Sequence, residues 1–84
     1  MKPRLMEIDG TAYDLRPPTG GDWLAVAGLD PIERTLLLIV RCVSRDGRPA
    51  FRDQAAAEGA TMALIQALDA ALSELMAYEI PDPT

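Results

Sequence analysis

The sequence predicts an α+β domain: an N-terminal β-hairpin followed by about three α-helices, predominantly helical. Three observations carry that reading. Residues 4–15 alternate around Asp9-Gly10, a dipeptide that favours tight primed turns. Two later stretches repeat apolar residues at helical spacing. The four aromatic residues, Tyr13, Trp23, Phe51 and Tyr78, leave a core built mainly from Leu, Ile, Val, Met and Ala, which suits helix packing better than a β-sandwich. With 84 residues, 49% of them hydrophobic, the chain has enough apolar material for one domain with a single core.

The hairpin spans residues 4–15, with Leu5, Glu7, Thr11, Tyr13 and Leu15 marking the alternation. A lone hairpin is marginal in water, so its apolar side must lean on the helices that follow. Pro17 and Pro18 then fix φ and remove two backbone donors, and Thr19 or Asp22 is placed to cap a short helix ending near Gly28. Trp23, Leu24 and Ala27 give that helix an apolar face, while Gly20 and Gly21 weaken it.

Asp30-Pro31-Ile32-Glu33 starts the next helix, with Asp30 as N-cap, Pro31 at the first helical position and Glu33 placed as in a capping box. This helix is expected to run through Val43, burying Ile32, Leu36, Ile39, Val40 and Val43 on one face as the central core element. Ser44 to Pro49 reads as a turn, after which Ala50 and Phe51 return to the core. Asp53 caps a helical turn reaching Glu58, and Gly59 interrupts it. The longest helix covers Thr61 to Tyr78, with Leu64, Leu68, Leu72 and Leu75 in one stripe reinforced by Ile65 and Met76, and Pro81 and Pro83 ending it. The organisation is thus one domain, 1–84: hairpin at 4–15, helical body at 19–78 and a flexible tail at 79–84.

Composition closes several functional classes. Cys42 is the only cysteine, so an intramolecular disulfide and a CxxC redox or zinc site are excluded. There is no histidine, which removes the usual general base and the commonest zinc ligand. A Ser-His-Asp or Cys-His arrangement therefore cannot exist. Asp69, Glu74, Glu79 and Asp82 do not converge on one helical face, so they read as solvated, and no metal or cofactor is expected. Lys2 and Arg4 precede no apolar run, and Leu36 to Val40 is far short of the ~20 residues that span a bilayer. A soluble, cytoplasmic and reduced protein, with no membrane partner, is the expectation.

The net charge of −5 is uneven: residues 1–52 hold all eight basic groups against seven acids, and residues 53–84 hold six acids and no base. The acidic second part disfavours nucleic acid. Arg41, Arg45, Arg48 and Arg52 surround one loop and admit an anion-binding reading, but no aromatic or glycine-rich phosphate loop accompanies them; a solvated helix end is preferred. Cys42 reads as a small buried hydrophobe. Trp23 reads either as core or as an interface residue, indole being enriched at binding hot spots. The Leu64 stripe reads as core, with pairing between copies of the chain as the other use, so a homo-oligomer stays open.

The order of these features, with Leu15, Arg16, Pro18, Thr19 and Asp22 forming a Leu-Arg-x-Pro-Thr-x-x-Asp pattern before a helical body, resembles the small tail assembly chaperones of tailed bacteriophages and prophages. The likeness spans residues 8–78 and departs from the pattern at Gly20-Gly21. It implies a non-enzymatic protein without a cofactor that binds the tape-measure protein, or another tail protein, and keeps it soluble while the tail tube assembles. Met6, Met62, Met76, Trp23 and the acidic last helix suit such a role. The runner-up is a small adaptor or inhibitor that binds a host protein. The residues placed on the client surface are Trp23, Leu24 and Leu29, with Arg16 and Asp22 shaping the segment that presents them.

Overall fold

Two Asp-Gly turns organise the strands in the computed structural model, which describes residues 4–79. Strands β1 (Arg4–Ile8) and β2 (Thr11–Leu15) pair antiparallel with Ile8 opposite Thr11, so Asp9 and Gly10 alone make the turn. Both have positive φ, 50° and 80°, as a two-residue type I′ turn requires. Met6 lies opposite Tyr13, and the inward side of the hairpin is Met6, Ile8, Tyr13 and Leu15. Leu5 pairs with Asp14 and faces outward, 69% exposed, so the alternation in β1 is carried by Met6 and Ile8 and not by Leu5.

Helix α1 (Gly20–Val26) follows the two prolines, and α2 (Pro31–Cys42) follows a turn at Gly28, whose φ is +84°. Asp30 caps α2 through the Glu33 amide at 2.9 Å, with Pro31 in the first turn where a missing N–H costs nothing. The helix stops at Cys42, one residue before the expected end. Val43 is extended and pairs with Leu15, because a β-branched residue beside an open strand edge gains a ladder there.

The stretch expected as a plain turn is a second hairpin. Strands β3 (Val43–Arg45) and β4 (Arg48–Pro49) are joined by Asp46 and Gly47, with φ of 53° and 77°, repeating the first turn. The sheet is antiparallel in the order β1-β2-β3-β4. Beyond it come α3 (Gln54–Glu58), capped by Asp53, and α4 (Met62–Glu79), where the Thr61 hydroxyl accepts from the Leu64 amide. The described residues thus hold four helices; the turn after Asp53 closes one of its own.

α2 is the hub, packing on α1, α3 and α4. Leu15, Ile39 and Leu68 are wholly buried and bring sheet, α2 and α4 into one cluster with Tyr13, Leu36, Val43, Ala57, Ile65 and Leu72. Leu64 and Leu75 pack against it half-buried, so the leucine stripe of α4 is core. Ala50 and Phe51 also pack back, as expected. Ile32 does not: at 74% exposure it stands on the first turn of α2, beyond the layer that α3 and α4 lay over Leu36. Arg4 and Glu74 form an exposed ion pair between β1 and α4. The side chains of Met76 and Tyr78, and the tail expected at 79–84 from residue 80 on, lie outside the described residues. Among the described residues no helix is long and apolar enough to cross a membrane.

Candidate functional site

The least expected group in the interior is the carboxylate of Asp22, 1% exposed. The sequence around it explains how it is held. Thr19 is the N-cap of α1, and Asp22 is its third helical residue, so the two form a reciprocal capping box: the Asp22 amide donates to Thr19 Oγ1, and the Thr19 amide donates to Asp22 Oδ2 at 2.7 Å. The Thr19 hydroxyl donates to the same oxygen at 3.1 Å.

Two arginines complete the cage. Arg16, just past the end of β2, donates from Nη1 to Oδ2 at 2.7 Å and from Nη2 to Oδ1 at 3.1 Å, the two-point geometry that guanidinium and carboxylate share. Arg41, in the last turn of α2, donates from Nε to Oδ1 at 2.7 Å. Arg16 Nη2 also donates to the Arg41 carbonyl at 2.9 Å, satisfying an acceptor that a helix C-terminus leaves open. The Arg16 amide meanwhile donates to the Cys42 carbonyl, carrying the β2–β3 pairing up to the helix end. One carboxylate thus joins the N-terminus of α1, the end of β2 and the C-terminus of α2. Charge signs agree throughout: the acid sits at a helix N-terminus and the arginines beside a helix C-terminus.

The Arg16 hydrogen bonds, aided by the Thr19 amide and Arg41, outweigh burial and hold the Asp22 carboxyl well below the usual carboxylate range. Arg16 is correspondingly held above its ordinary value, first by its bonds to Asp22. The Cys42 thiol, whose Sγ lies 3.8 Å from Asp22 Oδ2, is pushed up to about 11, chiefly by burial. A neutral thiol there is a weak donor to the acid and a poor nucleophile.

What the cage presents is the next pair of residues. Trp23 is 45% exposed and Leu24 79% exposed, while Val26 on the same short helix is buried. The apolar face expected to seat α1 therefore points outward, and Asp22 with Val26 does the seating. Leu29 is half-buried beyond the Gly28 turn, its amide donating to the Val26 carbonyl and its own carbonyl accepting from Arg34. Of the five residues singled out in the sequence, the fold joins Arg16 to Asp22, leaves Trp23 and Leu24 each exposed on α1, and half-buries Leu29 beyond the Gly28 turn.

Sequence reasoning missed Arg41 as the third member of the cage, grouping it with the loop arginines. Its one signal was position: a basic residue in the last turn of a helix needs an acid from another element to be drawn inward. Arg45, Arg48 and Arg52 are exposed, and Arg52 approaches its neighbour Asp53 at 3.9 Å. A cleft of about 540 Å³ lies between the β3–β4 hairpin and the helix end, with Cys42 at its wall and Arg16, Arg41 and Arg48 around it. All four terminal N–H groups of Arg16 are engaged by Asp22, Pro17 and Arg41, which leaves it no such donor for an anion. Among the described residues no group of three or more Cys, Asp or Glu is placed to hold a metal ion. In comparisons with known proteins, no family model, no curated protein and no solved structure matches the chain.

Proposed function

We propose that this chain is a non-enzymatic tail assembly chaperone of a tailed phage or prophage, holding a tape-measure protein or another tail protein in solution while the tube forms around it. The sequence resemblance supplies the client. The observation that supports a binding role is the exposure of Trp23 and Leu24 directly beside a buried, fully caged Asp22. A partly exposed indole and a leucine on a helix fixed from beneath form a pre-ordered apolar anchor, and such anchors lose little side-chain freedom on binding. The net charge of −5 helps a protein with exposed apolar residues stay dispersed.

The test is a pull-down with the tagged chain from cells expressing its whole surrounding gene cluster. The expected result is recovery of a long, coiled-coil-rich protein, lost with Trp23→Ala and Leu24→Ser. Recovery of a host enzyme or polymerase subunit instead would overturn the chaperone reading in favour of an adaptor or inhibitor.

A further inference from the structure

A second apolar surface shares no residue with the Trp23 site. Between the first turns of α2 and α4, beside α3, runs an open groove of about 540 Å³. Leu36, Ala57 and Ile65 floor it, all buried against the core. Its walls are Ile32 and Met62, 74% and 68% exposed, two of the most exposed large apolar residues described. Glu58 and Asp69 stand on its rim, both exposed, and no Lys or Arg lines it.

Two features decide what fits. The groove is lined by α2, α3, α4 and the turn before α4, and no strand borders it, so it offers no free strand edge to an extended peptide. A segment laid there must satisfy its own backbone, which a helix does. The charge is one-sided: an apolar trough with a carboxylate rim and no cation accepts an apolar stripe flanked by bases and repels one flanked by acids. A second copy of the chain using the same groove would set Glu58 and Asp69 against themselves, since a two-fold contact is self-complementary. α3 and α4 carry no counter-charge either, residues 53–84 being without a base, and Arg34 of α2 does not line the groove but donates to the Leu29 carbonyl.

We infer that this groove docks an amphipathic helix of a partner protein, its apolar residues spaced i, i+4, i+7 and flanked by Lys or Arg. Ile32 and Met62 close over the apolar residues, with methionine supplying the adaptable wall. Glu58 and Asp69 select the basic flanks.

The experiment titrates the full chain calorimetrically with two synthetic helical peptides that share one apolar stripe and differ only in Lys or Glu on the polar face. Saturable binding is expected for the Lys peptide, weakening with added salt, and none for the Glu peptide. Ile32→Asp or Met62→Asp is expected to weaken the Lys peptide by about tenfold or more, as loss of an anchor residue does. All four wall and rim positions are exposed, and thermal unfolding verifies that each variant is folded. Glu58→Lys with Asp69→Lys should transfer the preference to the Glu peptide. Trp23→Ala should leave peptide affinity unchanged, which separates this groove from the chaperone surface. The inference is overturned if the Lys peptide does not saturate, if both peptides bind alike, or if the folded Ile32 and Met62 variants bind like the parent. A dimer in sedimentation that these same variants dissociate would overturn it too, assigning the groove to a second copy.

Discussion

Arg16 and Asp22, six residues apart, meet in a two-point ion pair of 2.7 and 3.1 Å that closes the proline-containing segment between β2 and α1. The acid is fully buried, whereas the Arg16 side chain keeps 42% of its surface in solvent. Replacing the acid by its amide strands two arginines around a neutral group and turns one of its two acceptor oxygens into a donor that faces other N–H groups. Asp22→Asn is therefore expected to destabilise by about 3 kcal/mol, the low end for breaking a buried pair, because the arginines reach water. For a domain of this size that lowers the melting temperature by well over about 10 °C. Arg16→Lys should cost less, about 1–2 kcal/mol, since an ammonium reaches one oxygen and gives up the Arg41 carbonyl. Thermal melts of both variants check the order.

The same carboxylate sets an acid-side dependence. Its folded pKa lies below its unfolded value of about 3.9, so the stability it contributes is complete above that pH and is lost as pH falls through the folded value. The gap between the parent and Asp22→Asn should be constant from about pH 8 to pH 5 and should narrow below about pH 4. Urea midpoints at about pH 7, 5 and 3 measure it. A gap that stays the same at the lowest pH would mean that the protonation of Asp22 is not coupled to folding.

Cys42 gives a third expectation. Its thiol is 2% exposed and pushed up to about 11, so at neutral pH it carries very little thiolate and has little access to reagent. Modification by a thiol-disulfide reagent at about pH 8 should be slow in the folded protein and immediate in denaturant. Asp22→Asn should accelerate the folded-state rate, because loosening the cage opens the wall that Cys42 shares with it.

Comparison of the two Asp-Gly turns shows where the sequence was readable and where it was not. Asp9-Gly10 is flanked by five-residue strands whose alternation can be seen, so the hairpin was evident. Asp46-Gly47 has the same backbone signature but only three and two strand residues around it, one of them proline. No period shows in so short a run; β3 exists because Val43 finds the open edge of β2, a tertiary fact. The caps at Asp30 and Asp53 were legible because capping is local. The Arg16–Asp22 pair was legible only as a shaping role, and Arg41 not at all, since its partner lies 19 residues away. Ile32 and Trp23 show the limit of periodicity: a stripe says which residues share a face, and not whether another layer covers it.

Both turns can be tested by the same kind of substitution. Gly10 and Gly47 hold φ of 80° and 77°, and a Cβ at either meets nothing within 4 Å. The cost of alanine there is conformational and not steric, about 1–2 kcal/mol for the left-handed region, partly offset by a stiffer unfolded chain. Gly10→Ala and Gly47→Ala should each destabilise by about 1 kcal/mol in urea titrations. Gly20→Ala, in helical backbone and equally open space, should stabilise by about 0.5–1 kcal/mol. If all three move the midpoint alike, the turn assignment is wrong.

Trp23 separates folding from binding. As the only tryptophan, partly exposed on α1, it should emit at long wavelength and be readily quenched by acrylamide, and its emission should shift to shorter wavelength when a client covers it. Because Asp22 and Val26 seat the helix, Trp23→Ala and Leu24→Ser should each change stability by less than about 1 kcal/mol, within the range of surface substitutions. Their effect should fall on the partner: about tenfold or more in dissociation constant if the indole is an anchor. A Trp23→Ala protein that loses several kcal/mol of stability would mean the indole is structural after all. One that folds normally and binds the proposed client undiminished would remove α1 from the proposed binding surface.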